Sequence, residues 1–183
     1  MSKFPIHSLT SAPSAARPLL QQTQQRYGFV PNLLSGMAGA PALLAAYIAV
    51  SDAYASSSLS PLEQQLISIT VSLSHDCNYC VAAHSTVAGM QGLDGTVLEA
   101  LRQGRGLADP KLEALRKFTL QMVEQRGWPH AGQLEALLAA GYSQQTALEV
   151  VLGIAMKVLA NYSDHLITTP LDAVFQPAAT ITP

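Results

Sequence analysis

Apolar residues along this chain recur at helical steps, and glycine, proline and capping polar residues cut them into segments. Residues 18–27 read as a short helix ended by Gly28, and Val30-Pro31-Asn32 opens a second short turn or helix. The apolar, Ala-rich stretch 41–54 reads as a buried helix. Ser60-Pro61-Leu62-Glu63 is a start signal, with Ser at the N-cap, Pro at the first position and Glu where a capping box needs it. The helix that follows places Leu62, Leu66, Ile69 and Leu73 on one face. The next helix ends near Gly92. Asp94 caps another that stops at Gly104, and Asp109-Pro110 opens one that carries Leu112, Leu115, Phe118, Leu120 and Met122 to Gly127. Residues 134–140 form a short helix closed by Gly141, and Ser143 caps a long apolar helix through Ala160. The tail after Pro170 reads as irregular and packed on a neighbouring subunit.

No alternating runs with hairpin dipeptides occur. The β-branched stretch 66–71 is the best strand candidate, but its capping box and 3.6-residue period assign it to a helix. The expected fold class is all-α. The expected division is an N-terminal arm and short helix over 1–27, a helical domain over 28–175 and a tail over 176–183. Eleven residues separate Gln65 from Cys77, and eleven separate Glu149 from Asn161. That echo suggests a duplicated helical hairpin.

A chain of 183 residues is long enough to bury a core as one domain. Because 49% of its residues are hydrophobic and only 12% charged, a lone monomer would have little polar surface. A homo-oligomer is expected, with dimer, trimer and hexamer all open. The formal charge of −2 gives no reason to expect a nucleic-acid partner or an anionic membrane surface. No apolar run is read as transmembrane, and Met1-Ser2-Lys3-Phe4-Pro5 has no apolar signal core, so the expected location is cytoplasmic.

Candidate chemistry gathers in His75-Asp76-Cys77-Asn78-Tyr79-Cys80-Val81-Ala82-Ala83-His84-Ser85, which holds both cysteines of the chain. Steps of three, four and seven residues return to one helical face, so Cys77, Cys80 and His84 line up as two thiols and one base. Three readings stand side by side. In a redox dithiol, the base favours the reactive thiolate and the thiols close to a disulfide. Cβ atoms at i and i+3 lie about 5–6 Å apart on a helix, and a disulfide needs about 3.8 Å. A deformable first turn at Cys77 would allow that closure. In a zinc site, Cys77, Cys80 and His84 would be three ligands of four. In a purely structural reading they are buried packing residues.

The neighbours divide in the same way. Glu63 reads as the capping-box residue of its own helix. Gln65 either hydrogen-bonds His84 or is solvated. Tyr79 either orients the site through its hydroxyl or packs. Asp76 reads as an N-cap that also opposes ionisation of Cys77. His165 and Asn161 are assigned to a subunit contact in preference to the site, and His7 and His130 read as incidental.

The run from Leu59-Ser60-Pro61 and Glu63 through Cys77-Asn78-Tyr79-Cys80-Val81-Ala82-Ala83-His84 resembles the alkylhydroperoxidase AhpD-like branch of the carboxymuconolactone decarboxylase superfamily. Asn161-Tyr162-Ser163-Asp164-His165 and Thr169-Pro170-Leu171-Asp172 are similar to the tail of that branch. The resemblance implies an all-helical peroxidase with no cofactor. Cys80 would attack a hydroperoxide, Cys77 would resolve the sulfenic acid to a disulfide, and His84 would serve proton transfer. An unidentified dithiol would donate electrons. The branch places Glu twelve residues before the first cysteine, where this chain has Gln65, and often places His between the cysteines, where it has Tyr79. A non-catalytic member of the same fold is the alternative that Gln65 suggests.

Overall fold

The punctuation becomes nine α-helices in a computed structural model that describes residues 4–178. The readings for residues 1–3 and 179–183 lie outside the described residues. The helices are α1 (Arg17–Tyr27), α2 (Asn32–Met37), α3 (Pro41–Ala55), α4 (Pro61–Ser74), α5 (Asn78–Met90), α6 (Gly95–Arg102), α7 (Pro110–Glu124), α8 (Gln133–Ala139) and α9 (Gln144–Ile167). A 3₁₀ turn over Ala173–Ala178 follows. No strand occurs among the described residues, and the stretch 66–71 is helical, so the fold is all-α.

The caps form as their chemistry dictates. Ser60 Oγ accepts from the Glu63 N–H, and the Glu63 carboxylate accepts from the Ser60 N–H at 2.8 Å, which fixes the start of α4. Glu63 is therefore a capping residue. Ser143 and Thr146 make the reciprocal pair at α9, and Asp94 and Asp109 accept from the first free N–H groups of α6 and α7. Each such cap stabilises by about 1 kcal/mol.

α4 forms the centre of the bundle. Its residues 65–72 are buried without interruption, and it packs on α5, α7 and α9. One apolar cluster joins the N-terminal arm, α2 and the start of α3 to α5 through Ala16, Leu20, Met37, Leu44 and the two cysteines. A second joins α4, α7, α8 and α9 through Leu66, Ile69, Leu115, Leu137 and Val150. Gly153 lets α9 approach closely. A Cβ there would lie 2.9 Å from Ile67 Cγ2 of α4 and 2.9 Å from Tyr54 Cε2 of α3.

Several sequence expectations change. α3 buries only Leu44 and Tyr54, and Ala42, Ala45, Ala46 and Ala49 are not buried, so it is a surface helix. α9 does not stop at Ala160 but continues to Ile167. Its late polar residues find partners without leaving the helix: Asn161 bonds Ser72 of α4, and Ser163 Oγ donates back to Leu159 O at 2.6 Å. Glu149 and Asn161 therefore lie on one unbroken helix and mark no hairpin. By length and hydropathy α9 would suffice to cross a membrane, contrary to the reading that no run reached that length. Here its buried face includes Lys157 and Asn161, and it packs on α3 and α4. The tail is not irregular from Pro170. It forms the 3₁₀ turn and packs on α5 of its own chain, with Phe175 edge-on to Tyr79 at 5.9 Å.

Candidate functional site

The site begins with the way α4 ends. The Asp76 N–H donates to Leu73 O at 3.0 Å and the Cys77 N–H to Ser72 O at 2.9 Å, while Asp76 takes a left-handed φ of 54°. This is the Schellman pattern of helix termination. Asp76 is therefore not the N-cap of α5, because its backbone is committed to closing α4. Cys77 holds the N-cap position, with no side-chain cap. Cys80 follows in the first turn of α5, where unpaired N–H groups favour a thiolate.

Two matching ladders then face each other. Cys77, Cys80 and His84 run along α5 at steps of three and four. Asp164, Asn161 and Lys157 run along α9 in the opposite direction at the same steps. Cys77 Sγ lies 3.4 Å from Asp164 Oδ2, Asn161 hydrogen-bonds Cys80, and Lys157 Nζ donates to His84 Nε2 at 2.9 Å. Both cysteines are free and buried, and Lys157 and Asn161 are fully enclosed. Asn161 Oδ1 also meets His75 Nδ1 at 3.1 Å, and its Nδ2 donates to Ser72 Oγ at 3.3 Å. Asn161 thus belongs to the dithiol site, contrary to the subunit-contact expectation.

His84 is held on both edges. Gln65 Oε1 accepts from Nδ1 at 2.9 Å, and Gln65 is buried, which decides between its two readings. With Lys157 donating to Nε2, the partners assign the Nδ1–H tautomer. Burial, then the charge of Lys157, hold His84 well below its ordinary range, so the ring is neutral. It is not an imidazolium partner for Cys80. With both nitrogens engaged it does not complete a zinc set with the cysteines, and no cluster of three metal-ligating side chains occurs among the described residues.

The two thiols are pushed in opposite directions. The hydrogen bond from Cys77 lowers Cys80 most. Burial opposes it, Lys157 and Asn161 add to it, and Asp164 works against it. Cys77 is raised by that same hydrogen bond, by burial, and by the charges of Cys80 and Asp164. The acid beside Cys77 is therefore Asp164 on α9, not its sequence neighbour Asp76.

Tyr79 stands apart from this network. Its hydroxyl donates to Asp172 Oδ2 at 2.5 Å and accepts from the Leu33 N–H at 3.4 Å. Asp172 in turn accepts from the Asn32 N–H. Burial and then Asp172 push the Tyr79 phenol up, away from acid–base use near neutrality. Its place is to tie α5 to α2 and the tail. His165 is exposed and stacks on Tyr162. It borders a surface cleft of about 520 Å³ whose wall also contains Asp76, Asn78, Tyr79, Asp164 and Thr168. Asp164 links that cleft to Cys77.

Sequence reasoning missed Lys157 and Asp164. A signal was present: Lys157-x3-Asn161-x2-Asp164 is the spacing of Cys77-x2-Cys80-x3-His84 read backwards, on a helix otherwise apolar along that face.

The profile of the carboxymuconolactone decarboxylase family matches residues 41–121. The fold is similar to the alkylhydroperoxidase AhpD core of an uncharacterized peroxidase-related protein from Ralstonia eutropha JMP134. The TM-score is 0.85 at 22% identity, over 100% of this chain and 98% of that one. An uncharacterized peroxidase-related protein from Silicibacter sp. TM1040 is similar with a TM-score of 0.78 at 21% identity, over 94% and 92% of the two chains. A cysteine-to-alanine variant of the debrominase Bmp8, in complex with 2,3,4-tribromopyrrole, is similar with a TM-score of 0.78 at 18% identity, over 96% and 94%. No curated protein matches the chain. At these identities the structural likeness establishes the fold.

Proposed function

We propose that this chain, an AhpD-like member of the carboxymuconolactone decarboxylase superfamily, is a cytoplasmic thiol oxidoreductase that reduces a hydroperoxide with no cofactor. The observation that carries this reading is a pair of buried, free thiols on one face of α5, Cys80 in its first turn beside Asn161 and Cys77 at its N-cap beside the Asp164 carboxylate, surroundings that favour the thiolate at Cys80 and oppose it at Cys77. A peroxidatic and a resolving cysteine need that division.

The Cys80 thiolate attacks one peroxide oxygen and the O–O bond breaks. The alkoxide leaves and takes a proton, and Cys80 becomes a sulfenic acid. The Cys77 thiol then attacks the Cys80 sulfur. The S–S bond forms, and hydroxide leaves with the Cys77 proton as water. An unidentified dithiol donor returns two electrons and two protons. Gln65 fixes the tautomer of His84, and His84 serves proton transfer through its bond to Lys157. A homo-oligomer fits the surface: Leu148, Val151, Tyr162 and Leu166 are exposed along α9, which packs on the Ala-rich surface helix α3.

Free-thiol titration with one equivalent of peroxide tests the reading. Two thiols per chain should disappear within seconds. Cys80→Ser should abolish the fast phase, and Cys77→Ser should leave one fast oxidation trapped as sulfenic acid or its overoxidised products. Loss at the rate of free cysteine would instead mark a non-catalytic member of the fold. A fast sulfenic acid on Cys77 in Cys80→Ser would reverse the roles. Light scattering at micromolar concentration should give a mass above one chain, and a monomer would remove the oligomer from the proposal.

A further inference from the structure

Lys157 is the residue of the site that the chemistry above leaves without a counter-ion. Its side chain is fully buried, and no carboxylate pairs with it among the described residues. Its hydrogen-bond partner is His84, a neutral ring that accepts but carries no charge to balance an ammonium. An isolated buried ammonium is costly, so such groups are found paired.

Position along α9 narrows the choice of partner. Asp164 is seven residues on, about 10.5 Å along the axis at 1.5 Å per residue, and it is engaged with Cys77. Between the two levels lies that of Asn161, which faces Cys80 of α5 together with Ser72 and His75 of the α4 end. Tyr47 of α3 shares this pocket and senses both Lys157 and Cys80, but burial holds its phenol neutral. Cys77 is held as a thiol, and His75 at the end of α4 faces Asn161. Of the titratable groups packed around Lys157, Cys80 is the one left to balance it, and the charge of Lys157 favours the Cys80 thiolate.

We propose that Lys157 is the positioning residue that holds Cys80 as a thiolate, an ammonium–thiolate pair in a site where the group on His84 Nδ1 is the amide of Gln65 and not a carboxylate. The proposal deepens the dithiol reading and rests on it. It also accounts for Gln65. A neutral acceptor on Nδ1 keeps His84 neutral, so its Nε2 remains free to accept from Lys157. Charge balance follows through the cycle. The resting pair is net neutral. When Cys80 attacks a hydroperoxide and becomes a neutral sulfenic acid, the alkoxide released takes one proton, and Lys157, having lost its anion, gives it up. Reduction of the disulfide restores a Cys80 thiol, which returns a proton to Lys157.

The test is the pH dependence of Cys80 alkylation by iodoacetamide in the fully reduced protein, read by mass spectrometry on the Cys80 peptide and needing no peroxide. Lys157→Met should raise the midpoint and cut alkylation near neutral pH by about tenfold for each pH unit that the midpoint rises. Lys157→Arg should restore part of the profile. A folded Lys157→Met variant with the wild-type profile overturns the proposal. A measurement on wild type covers failure of the variants to fold: the Cys80 thiolate absorbance and the Lys157 Cε chemical shift should change with one shared midpoint. Titration of Cys80 without a response at Lys157 also overturns it. A Lys157-dependent profile in a protein inert to peroxide would uphold the pair and remove the peroxidase reading, so the two failures are distinct.

Discussion

Lys157 and His84 meet across α9 and α5 at 2.9 Å, with the lysine donating and the imidazole accepting. A histidine in that relation cannot take a proton at Nε2 without losing its partner, and burial already disfavours the charge.

An acid limb in stability follows. The unfolded chain protonates His84 near its ordinary value of about 6.5, and the folded chain resists protonation to well below it. The folded value is depressed, so this contribution is fully present above the unfolded value and is lost as pH falls below it. The loss is up to about 1.4 kcal/mol per pH unit for one proton. Urea unfolding of wild type and His84→Gln from neutral to mildly acid pH checks this, and the variant should show the shallower slope.

Gln65→Glu should change the chemistry of the ring. A carboxylate at the Nδ1 edge stabilises imidazolium, raises His84 and removes the acceptor from Lys157. The pH–rate profile of peroxide reduction should move, within the roughly 10²–10⁴-fold that acid–base groups contribute. An unchanged profile would place position 65 outside proton transfer.

Tyr79→Phe separates scaffold from site. It removes the bond to Asp172 and leaves a buried carboxylate short of a donor, at a cost of about 1–3 kcal/mol. Thermal unfolding should register that loss while the rate of Cys80 oxidation stays at the wild-type value. A slowed oxidation at full stability would return Tyr79 to the reacting groups.

Gly153→Ala and Gly89→Ala should have opposite signs. The first forces a methyl to 2.9 Å from Ile67 and Tyr54 and should destabilise by about 1–3 kcal/mol. The second adds a methyl in open space on α5 and should stabilise by about 0.4–1 kcal/mol. Chemical denaturation of both variants gives the comparison.

What the chain discloses in advance is local. Capping boxes, prolines and glycines announce themselves over a few residues, so the starts of α4, α6, α7 and α9 agree with the expectation. The alignment of Cys77, Cys80 and His84 follows from helical period alone. How two distant helices meet is not legible in this way. Lys157 is a stray charge and Asp164 a surface residue until α9 lies against α5. Adjacency gives Asp76 to α5, yet its backbone serves α4, and Asp164, 87 residues beyond Cys77, faces the thiol. Tyr79 sits between the cysteines in sequence, but its hydroxyl reaches Asp172, which the tail brings to it. Gln65 is ambiguous in sequence because one amide can face water or a ring, and only the packing of α4 on α5 decides.

Because the Schellman turn places Cys77 outside the regular part of α5, a disulfide between Cys77 and Cys80 would be recorded mainly in a turn. The first α5 hydrogen bond runs from the Val81 N–H to Cys77 O at 3.0 Å, and the turn is latched to α4 by the Cys77 N–H on Ser72 O. Amide hydrogen exchange should therefore report the redox state at the 76–77 amides. The amides of α5 beyond Val81 should keep their protection in both states, so the helix acts as a fixed reference against which each turnover can be timed.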